Sequence, residues 1–472
     1  MRTPGIIITA LRGGSGKTIF SVGIIAALKN LGKTLAPFKK GPDYIDAGWL
    51  AMAAGRPCYN LDSFLMESGL LTRSFLVHSQ HTDFTVIEGN RGLYDCIDTS
   101  GETSTAELAK LLDLPVILCL DCTKTTRTMA AVVSGCIDFD PAVKIKGVLL
   151  NRVGGSRHEK ILRRSIEEYC NIPVLGAVPK LKQQMFPERH MGLVPTPEHD
   201  WAFDSIKEIG KIAQTCLDLD AIKKIASTNT GHNLTLSNAE VKNSRPEVIS
   251  VPLKPEIKIG VIKDSAFQFY YPENLDSLKA CGAKIIFLSA LSNRYIPDID
   301  GLYIGGGFPE THAQELADNI SFRNQVKLLA ENGLPVYAEC GGLIYLGQSL
   351  ILKDASIPMT GILPIVLGVS QKPQGHGYTQ ITVKKKNPFF KVGEKIKGHE
   401  FHYSSVLEWT ESYPDLVFEM ERGSGLKDKK DGLSYKNVLA TYTHIHASGT
   451  RTWAKAFVDQ ARAYHKKKGQ TP

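Results

Sequence analysis

No apolar run in this 472-residue chain approaches the roughly 20 residues needed to cross a bilayer as a helix, so a helical membrane protein is excluded. The nine cysteines follow no disulfide-type spacing, which predicts a reducing compartment. Residues Met1 to Thr9 lack the basic head, long apolar stretch and small-residue cleavage site of an export leader, and the expected location is the cytoplasm. Acidic and basic residues are not segregated: the net charge is +8, but lysines and arginines are scattered among acids, with tight clusters only at Lys384, Lys385, Lys386 and at Lys466, Lys467, Lys468. Without interleaved aromatics or a recognition motif, nucleic acid is not an expected partner, whereas a polyanionic small molecule suits a basic protein. No internal repeat is present.

What is there is the profile of a globular enzyme, with 43% hydrophobic and 22% charged residues and Gly and Pro spread along the chain. At roughly 100 to 200 residues per domain the length predicts two domains. Short apolar runs alternate with helical patterns: Gly5 to Ala10, Leu35 to Phe38, Phe84 to Glu88, Pro115 to Asp121, Ile145 to Asn151 and Val174 to Val178. This alternation predicts an α/β fold with a parallel sheet flanked by helices, whose chemistry sits at the carboxyl ends of the strands. Residues 227–254 turn to Ser, Thr, Asn, Lys and Pro with little periodicity and read as a linker between domains at 1–226 and 255–472. Beyond it the alternation resumes with Lys258 to Lys263, Lys284 to Leu288, Gly301 to Ile304 and Pro335 to Ala338, a second α/β domain.

The first strand runs into Leu11-Arg12-Gly13-Gly14-Ser15-Gly16-Lys17-Thr18 and then a helix pattern. Glycines such as Gly14 and Gly16 let backbone N–H groups turn inward around phosphate oxygens, Lys17 adds a cation and Thr18 can bind Mg²⁺. The first glycine of the usual phosphate-loop pattern is replaced by Ala10 and Leu11. The second strand ends in Lys39-Lys40-Gly41-Pro42-Asp43-Tyr44-Ile45-Asp46, where two lysines beside two carboxylates can hold a phosphate and a metal. The third delivers Glu88 to the sheet edge, placed to complete a Mg²⁺ site with Thr18 and Asp43. Asn151, ending a later strand, is a candidate adenine contact. Cys119 and Cys122 have the spacing of a redox or metal pair, but no second pair exists, and they read as structural.

In the second domain, Val336 to Leu346 reads strand, Cys340, two glycines, helix. A cysteine at such a turn is expected to be exposed, with its pKa lowered by the helix N-terminus and backbone N–H groups beside it. The Gly305-Gly306-Gly307 loop can supply further oxyanion donors, and Thr441 to His446 offers a histidine base. Cysteine, glycine loop and late histidine in this order point to glutamine hydrolysis.

The whole chain resembles the cobyrinic acid a,c-diamide synthase family, in which a dethiobiotin-synthetase-like, P-loop NTPase-like ATP domain is joined to a class I glutamine amidotransferase domain of flavodoxin-like fold. The segments carrying the likeness are KKGPDYIDAGWL, EGNRGLYD, PERHMGLVP (Pro187 to Pro195), DSAFQFYYPENLDSL (Asp264 to Leu278), GGGFPE, AECGGLIYL, GHEFHYS (Gly398 to Ser404) and YTHIH. The resemblance implies that Cys340 attacks the glutamine amide with His444 as base, and that the oxyanion sits near Gly306, Gly307 and Gly341. The acid normally expected two positions after the histidine is His446 here, leaving a Cys/His dyad. It further implies that ATP, with Mg²⁺ on Thr18, Asp43 and Glu88 and with Lys17, Lys39 and Lys40 on its phosphates, activates a carboxylate as an acyl phosphate that ammonia attacks. Two amidations of a tetrapyrrole in cobalamin biosynthesis follow from the likeness. Asp46, Tyr270, Tyr271, His402 and Tyr403 are the candidate substrate contacts. Enzymes acting on sirohydrochlorin, nickel-sirohydrochlorin or sirohaem carry the same motifs, and the ending THIHASGTRTWA keeps that choice open, as is a homodimeric assembly. A cobyric acid synthase fits KKGPDYID less well, and a P-loop nucleotide switch needs no Cys340 or His444.

Overall fold

A computed structural model describes residues 3–181, 188–189, 192–198, 201–228, 256–353, 355–409 and 415–470. The chain divides into two compact units, Met1–Ser237 and Asn238–Pro472. Nearly all of the expected linker at 227–254, and residues 187, 190 and 191 of the segment Pro187 to Pro195, lie outside the described residues.

The first unit is a seven-stranded sheet with every pairing parallel. Its strands are β1 (Gly5–Ala10), β2 (Leu35–Lys40), β3 (Tyr59–Leu61), β4 (Phe84–Glu88), β5 (Val116–Asp121), β6 (Ile145–Val153) and β7 (Val174–Pro179), in the order β3-β2-β4-β1-β5-β6-β7. Such sheets are covered on both faces, which is why β1, β2 and β4 are buried along their whole length. The chain leaves β1 toward β2 on one side and returns to β5 on the other, so a crevice opens at the carboxyl end of β1, where ligands settle in folds of this kind.

Helix α1 (Lys17–Asn30) follows that crevice, and its run from Phe20 to Leu28 is buried on every side rather than along one stripe. Helix α2 (Ala202–Cys216) packs close to it: a side chain at Gly23 would come within 3.2 Å of Ala213, and one at Gly210 within 3.0 Å of Ala26. Glycines at this crossing bring the two backbones together, and the burial that results is cooperative with the sheet core of Ile6, Ile8, Val86 and Ile117. Between them the chain contributes a short antiparallel pair, β8 (Glu188–Arg189) with β9 (Gly192–Leu193).

The second unit is built on a ten-stranded mixed sheet. Its parallel half holds β10 (Ile257–Ile262), β11 (Ala283–Leu288), β12 (Gly301–Ile304) and β13 (Val336–Glu339). Strands β14 (Ser349–Leu352), β15 (Ala355–Pro358), β16 (Ile365–Val369) and β19 (Ser404–Trp409) form a separate four-stranded sheet. The antiparallel half of the large sheet adds β17 (Gly375–Val383), β18 (Lys395–His402), β20 (Asp415–Arg422), β21 (Lys430–Tyr435), β22 (Val438–Thr441) and β23 (His444–Ile445).

The order is β11-β10-β12-β13-β22-β21-β20-β17-β18-β23. Strand β23 begins only three residues after β22 ends, yet pairs with β18 at the far edge. The sheet therefore curls back on itself, and its β18–β23 edge returns over the carboxyl end of β13. One layer of core (Ile304, Phe322, Val336, Leu343) fills one side and a second (Tyr303, Tyr337, Trp453, Phe457) the other. Among the described residues no helix is long and apolar enough to cross a membrane, and all nine cysteines are free thiols.

Candidate functional site

The carboxyl ends of β1, β2, β4 and β6 bring the expected nucleotide residues together. Gly16 caps α1 with φ 98°, in the left-handed region open to glycine, and a Cβ there would collide with the amide nitrogen of Asn151. Asn151 Nδ2 donates to the Ser15 carbonyl at 2.9 Å, so it braces the loop from behind. The Lys17 ammonium donates to the carbonyls of Arg12 (3.2 Å) and Arg91 (2.9 Å), clamping the glycine loop to the loop after β4. Burial lowers its pKa, as does Lys39.

Lys39 and Glu88 are register partners on adjacent parallel strands, with Nζ to Oε1 at 2.8 Å and both side chains buried. Asp46 Oδ2 lies 2.7 Å and Asp43 Oδ2 3.8 Å from the same ammonium. Strand β2 continues through both lysines, beyond the expected end at Phe38, because these carboxylates compensate the buried charge. Burial alone would lower the pKa of Lys39; Asp46, Glu88 and Asp43 together hold it well above the usual value. Lys39 is thus committed to carboxylates rather than facing an open phosphate cradle, a difference from the sequence expectation. Lys40, also buried, has no carboxylate within 4 Å among the described residues. Burial, then the neighbouring Asp46, pushes Asp43 up to about 7, while Lys39 holds Asp46 low against its own burial.

Thr18 Oγ1 donates to Glu88 Oε1 at 2.9 Å, so the two expected metal-binding side chains meet. The other oxygen, Glu88 Oε2, is buried with no hydrogen-bond partner among the described residues. An unpaired buried carboxylate oxygen beside a hydroxyl suits a small hard cation, which takes one or two protein oxygens and completes its shell with phosphates and water. The described residues contain no group of three or more His, Cys, Asp or Glu side chains placed to hold a metal on their own. Cys119 and Cys122 are buried, and burial pushes both thiols up, consistent with packing roles.

In the second unit Cys340 links β13 to a one-and-a-half-turn helix, Gly341–Leu346, with φ 47°. A non-glycine residue held there is strained, and strain of this kind persists where the surroundings enforce it. Its N–H donates to the Thr441 carbonyl at 2.8 Å, and its sulfur lies 3.8 Å from the Phe401 carbonyl of β18.

Two expectations fail here. Cys340 is only 5% exposed, because the returning edge of the sheet covers it. Burial then pushes its thiol up, with Glu310 and Glu339 adding to the shift against a smaller pull from the Gly341 N–H, and a six-residue helix does not reverse it. Iodoacetamide is therefore expected to alkylate Cys340 at least about tenfold more slowly than an exposed thiol at about pH 8, with the rate still rising at higher pH. Peptide mass mapping reads this; a rate plateau near neutrality would contradict it.

From the residue next to this cysteine a chain of close approaches runs through Gly341, Gly307 and Gly306 to His444. A Cβ at Gly341 would lie 3.0 Å from the Gly307 nitrogen, and one at Gly306 would lie 2.5 Å from His444 Cε1. The Gly307 N–H donates to no backbone carbonyl among the described residues. A side chain at Gly307 would strike the Ala266 carbonyl. His444 is paired across β18–β23 with His399, and the two rings stack with centroids 4.9 Å apart.

Sequence reading missed the groups that fix this histidine. Asp431 accepts from Thr441 Oγ1, the N–H groups of Tyr442 and Thr443, and Thr443 Oγ1, holding the turn before His444. Asn274 ties down the residues after it, donating to the Ile445 carbonyl and accepting from the Ala447 N–H. Glu339 lies 3.6 Å from His444 Nδ1. His446 instead faces Glu273 at 3.5 Å.

The expected substrate aromatics are mostly interior. Tyr271 is fully buried, Tyr270 gives its hydroxyl to the Ile262 carbonyl, and His402 stacks on Tyr442 at 3.6 Å. Packing of this kind leaves Tyr271 no face for a macrocycle; Tyr403 alone of the four is half-buried.

A phosphate-loop unit and a cysteine–histidine–glycine unit in one chain define a glutamine-hydrolysing ligase with a nucleotide-binding domain. Residues 6–193 match the CobQ/CobB/MinD/ParA nucleotide binding domain, and residues 258–452 match the CobB/CobQ-like glutamine amidotransferase domain. The chain is 41% identical over 453 residues to a cobyrinate a,c-diamide synthase of Magnetococcus marinus, covering 96% of each chain. It is 37% identical over 462 residues to one of Archaeoglobus fulgidus, covering 98% of each. The chain belongs to the cobyrinate a,c-diamide synthase family.

Proposed function

We propose that this protein amidates the a- and c-side-chain carboxylates of cobyrinic acid, using glutamine as ammonia donor and ATP to activate each carboxylate. The observation that supports this most is the pairing of two chemically distinct sites in a chain whose relatives of that name match it over nearly its whole length. The proposed division is an ATP-dependent amidoligase domain at 1–226, a linker at 227–254 and a glutaminase domain at 255–472. Free thiols throughout favour the cytoplasm.

In the glutaminase, Cys340 Sγ attacks the amide carbon of glutamine as His444 takes its proton. The N–H groups around Gly306, Gly307 and Gly341 stabilise the oxyanion, and the proton passes to the departing ammonia. Water then releases glutamate from the thioester.

In the ligase, a substrate carboxylate oxygen attacks the γ-phosphorus and ADP departs, giving an acyl phosphate; ammonia attacks its carbonyl carbon and phosphate leaves. Lys17 and the glycine-loop N–H groups orient the phosphates, Asn151 braces that same loop through the Ser15 carbonyl, and Lys40, buried with no carboxylate within 4 Å among the described residues, meets phosphate or substrate carboxylate. A Mg²⁺ ion, held by Thr18 and Glu88 with Asp43 nearby, would supply neutralisation of phosphate charge. Asp46 and Tyr403 remain the proposed substrate contacts.

The test is to offer cobyrinic acid, sirohydrochlorin, nickel-sirohydrochlorin and sirohaem separately with Mg-ATP and glutamine, and to follow carboxylate-to-amide conversion by mass spectrometry. Cobyrinic acid is expected to turn over fastest and to gain two amides. Preference for a sirohydrochlorin or sirohaem moves the substrate assignment to that compound, and no amidation of any tetrapyrrole removes it.

A further inference from the structure

We propose that Glu339, the residue immediately before the nucleophile, is the positioning acid of the glutaminase, acting through His444 in place of the carboxylate missing at position 446. The inference rests on the glutaminase reading of Cys340 and His444.

Glu339 closes β13 and is buried, as is His444. Its two oxygens are individually anchored: Oε1 accepts from the Ile445 N–H at 3.1 Å, and Oε2 accepts from the Tyr303 hydroxyl at 3.0 Å. Tyr303 is itself fixed by a 3.2 Å hydrogen bond from Asn274. The carboxylate is thus clamped from two strands, with Oε2 3.6 Å from His444 Nδ1. That gap is longer than a hydrogen bond, and contacts of this type tighten when substrate is bound.

His399 and Gly306, which also lie against His444, cannot replace it. Stacked His399 is kept neutral, by burial first and then by His444 and His446, and Gly306 offers only backbone. His446 is turned toward Glu273 and Tyr271.

The chemistry follows from the geometry. A carboxylate facing Nδ1 favours the tautomer that carries its proton on Nδ1, leaving Nε2 to take the thiol proton; it then stabilises the imidazolium that forms. Since the acid precedes the nucleophile by one residue, the strained turn that presents Cys340 also sets the carboxylate against His444.

Glu339→Gln separates charge from packing. The glutamine amide oxygen can still accept from Ile445 and its NH₂ can meet the Tyr303 hydroxyl, but an N–H now faces Nδ1 and selects the wrong tautomer. Glutaminase kcat is expected to fall about a hundredfold or more, with KM for glutamine within about threefold and the melting temperature close to that of the parent. Tyr303→Phe, which removes the other bond to the same oxygen, is expected to keep most of kcat. Glu339→Asp, which keeps the charge at shorter reach, is expected to recover part of the loss. Wild-type kcat in Glu339→Gln overturns the inference, as does equal loss in Glu339→Gln and Tyr303→Phe accompanied by a shared drop in melting temperature. If Glu339→Gln does not fold, Glu339→Asp carries the test: reduced kcat at unchanged melting temperature supports the role, and unchanged kcat overturns it. Cys340→Ala measured alongside distinguishes the two failures, because glutaminase surviving that change sinks the underlying reading instead.

Discussion

Cys340→Ala is expected to lower glutamine hydrolysis at least about a thousandfold while leaving ammonia-supported amidation near its parent rate. The size of the effect follows from the loss of the covalent step itself: alanine carries no nucleophile in place of the sulfur, and the glycine N–H groups then have no oxyanion to bind. The selectivity follows from where the residue sits. Cys340 belongs to the β13 turn of the second compact unit, whereas the residues around the nucleotide loop belong to the first. Glutaminase assays and amidation with ammonium salts, run on the same preparation, read both halves. Loss of the ammonia reaction as well would show that the cysteine serves something other than ammonia release.

Lys17→Ala is expected to produce the complementary phenotype: amidation falls about a hundredfold to a thousandfold with either nitrogen source, and glutamine hydrolysis persists. Lys17 is the cation at the mouth of the glycine loop, and its ammonium also clamps that loop to the Arg91 carbonyl. Its removal takes away both phosphate neutralisation and the hydrogen bonds that shape the cradle, the latter costing about 1–3 kcal/mol of local stability. Measuring ATP-dependent phosphate release with substrate and ammonia isolates the step. Parent-like phosphate release would place the ATP chemistry elsewhere.

The first unit was the more legible in sequence, for a physical reason. Parallel strands buried on both faces read as unbroken apolar runs, and polar residues that interrupt them cluster at the carboxyl ends, where the chemistry lies. Glu88, Lys39 and Asn151 were visible on that ground. Strand β3, three residues long, carries too little pattern to see. The commitment of Lys39 to three carboxylates was equally hidden, since it arises from lateral register between β2 and β4 rather than from anything local.

In the second unit the nucleophile's turn was plain, but its environment was not. Phe401 lies 61 residues beyond Cys340 and reaches it only because the sheet curls back through β18. The turn alone implies exposure and a lowered pKa, and tertiary burial overrides both. Glu339 is not marked in the sequence as the acid, because a carboxylate in that role is expected downstream of the histidine. The only available signal was a carboxylate closing an otherwise apolar strand, the same signal that had pointed to Glu88.

The most direct test of ammonia transfer from glutamine to the macrocycle supplies glutamine labelled with ¹⁵N in its amide, together with Mg-ATP and cobyrinic acid, and weighs the macrocycle. Label is expected to enter the product as primary amide, only when ATP is present and only when Cys340 is intact. Hydrolysis of glutamine with no label reaching any tetrapyrrole carboxylate would contradict it.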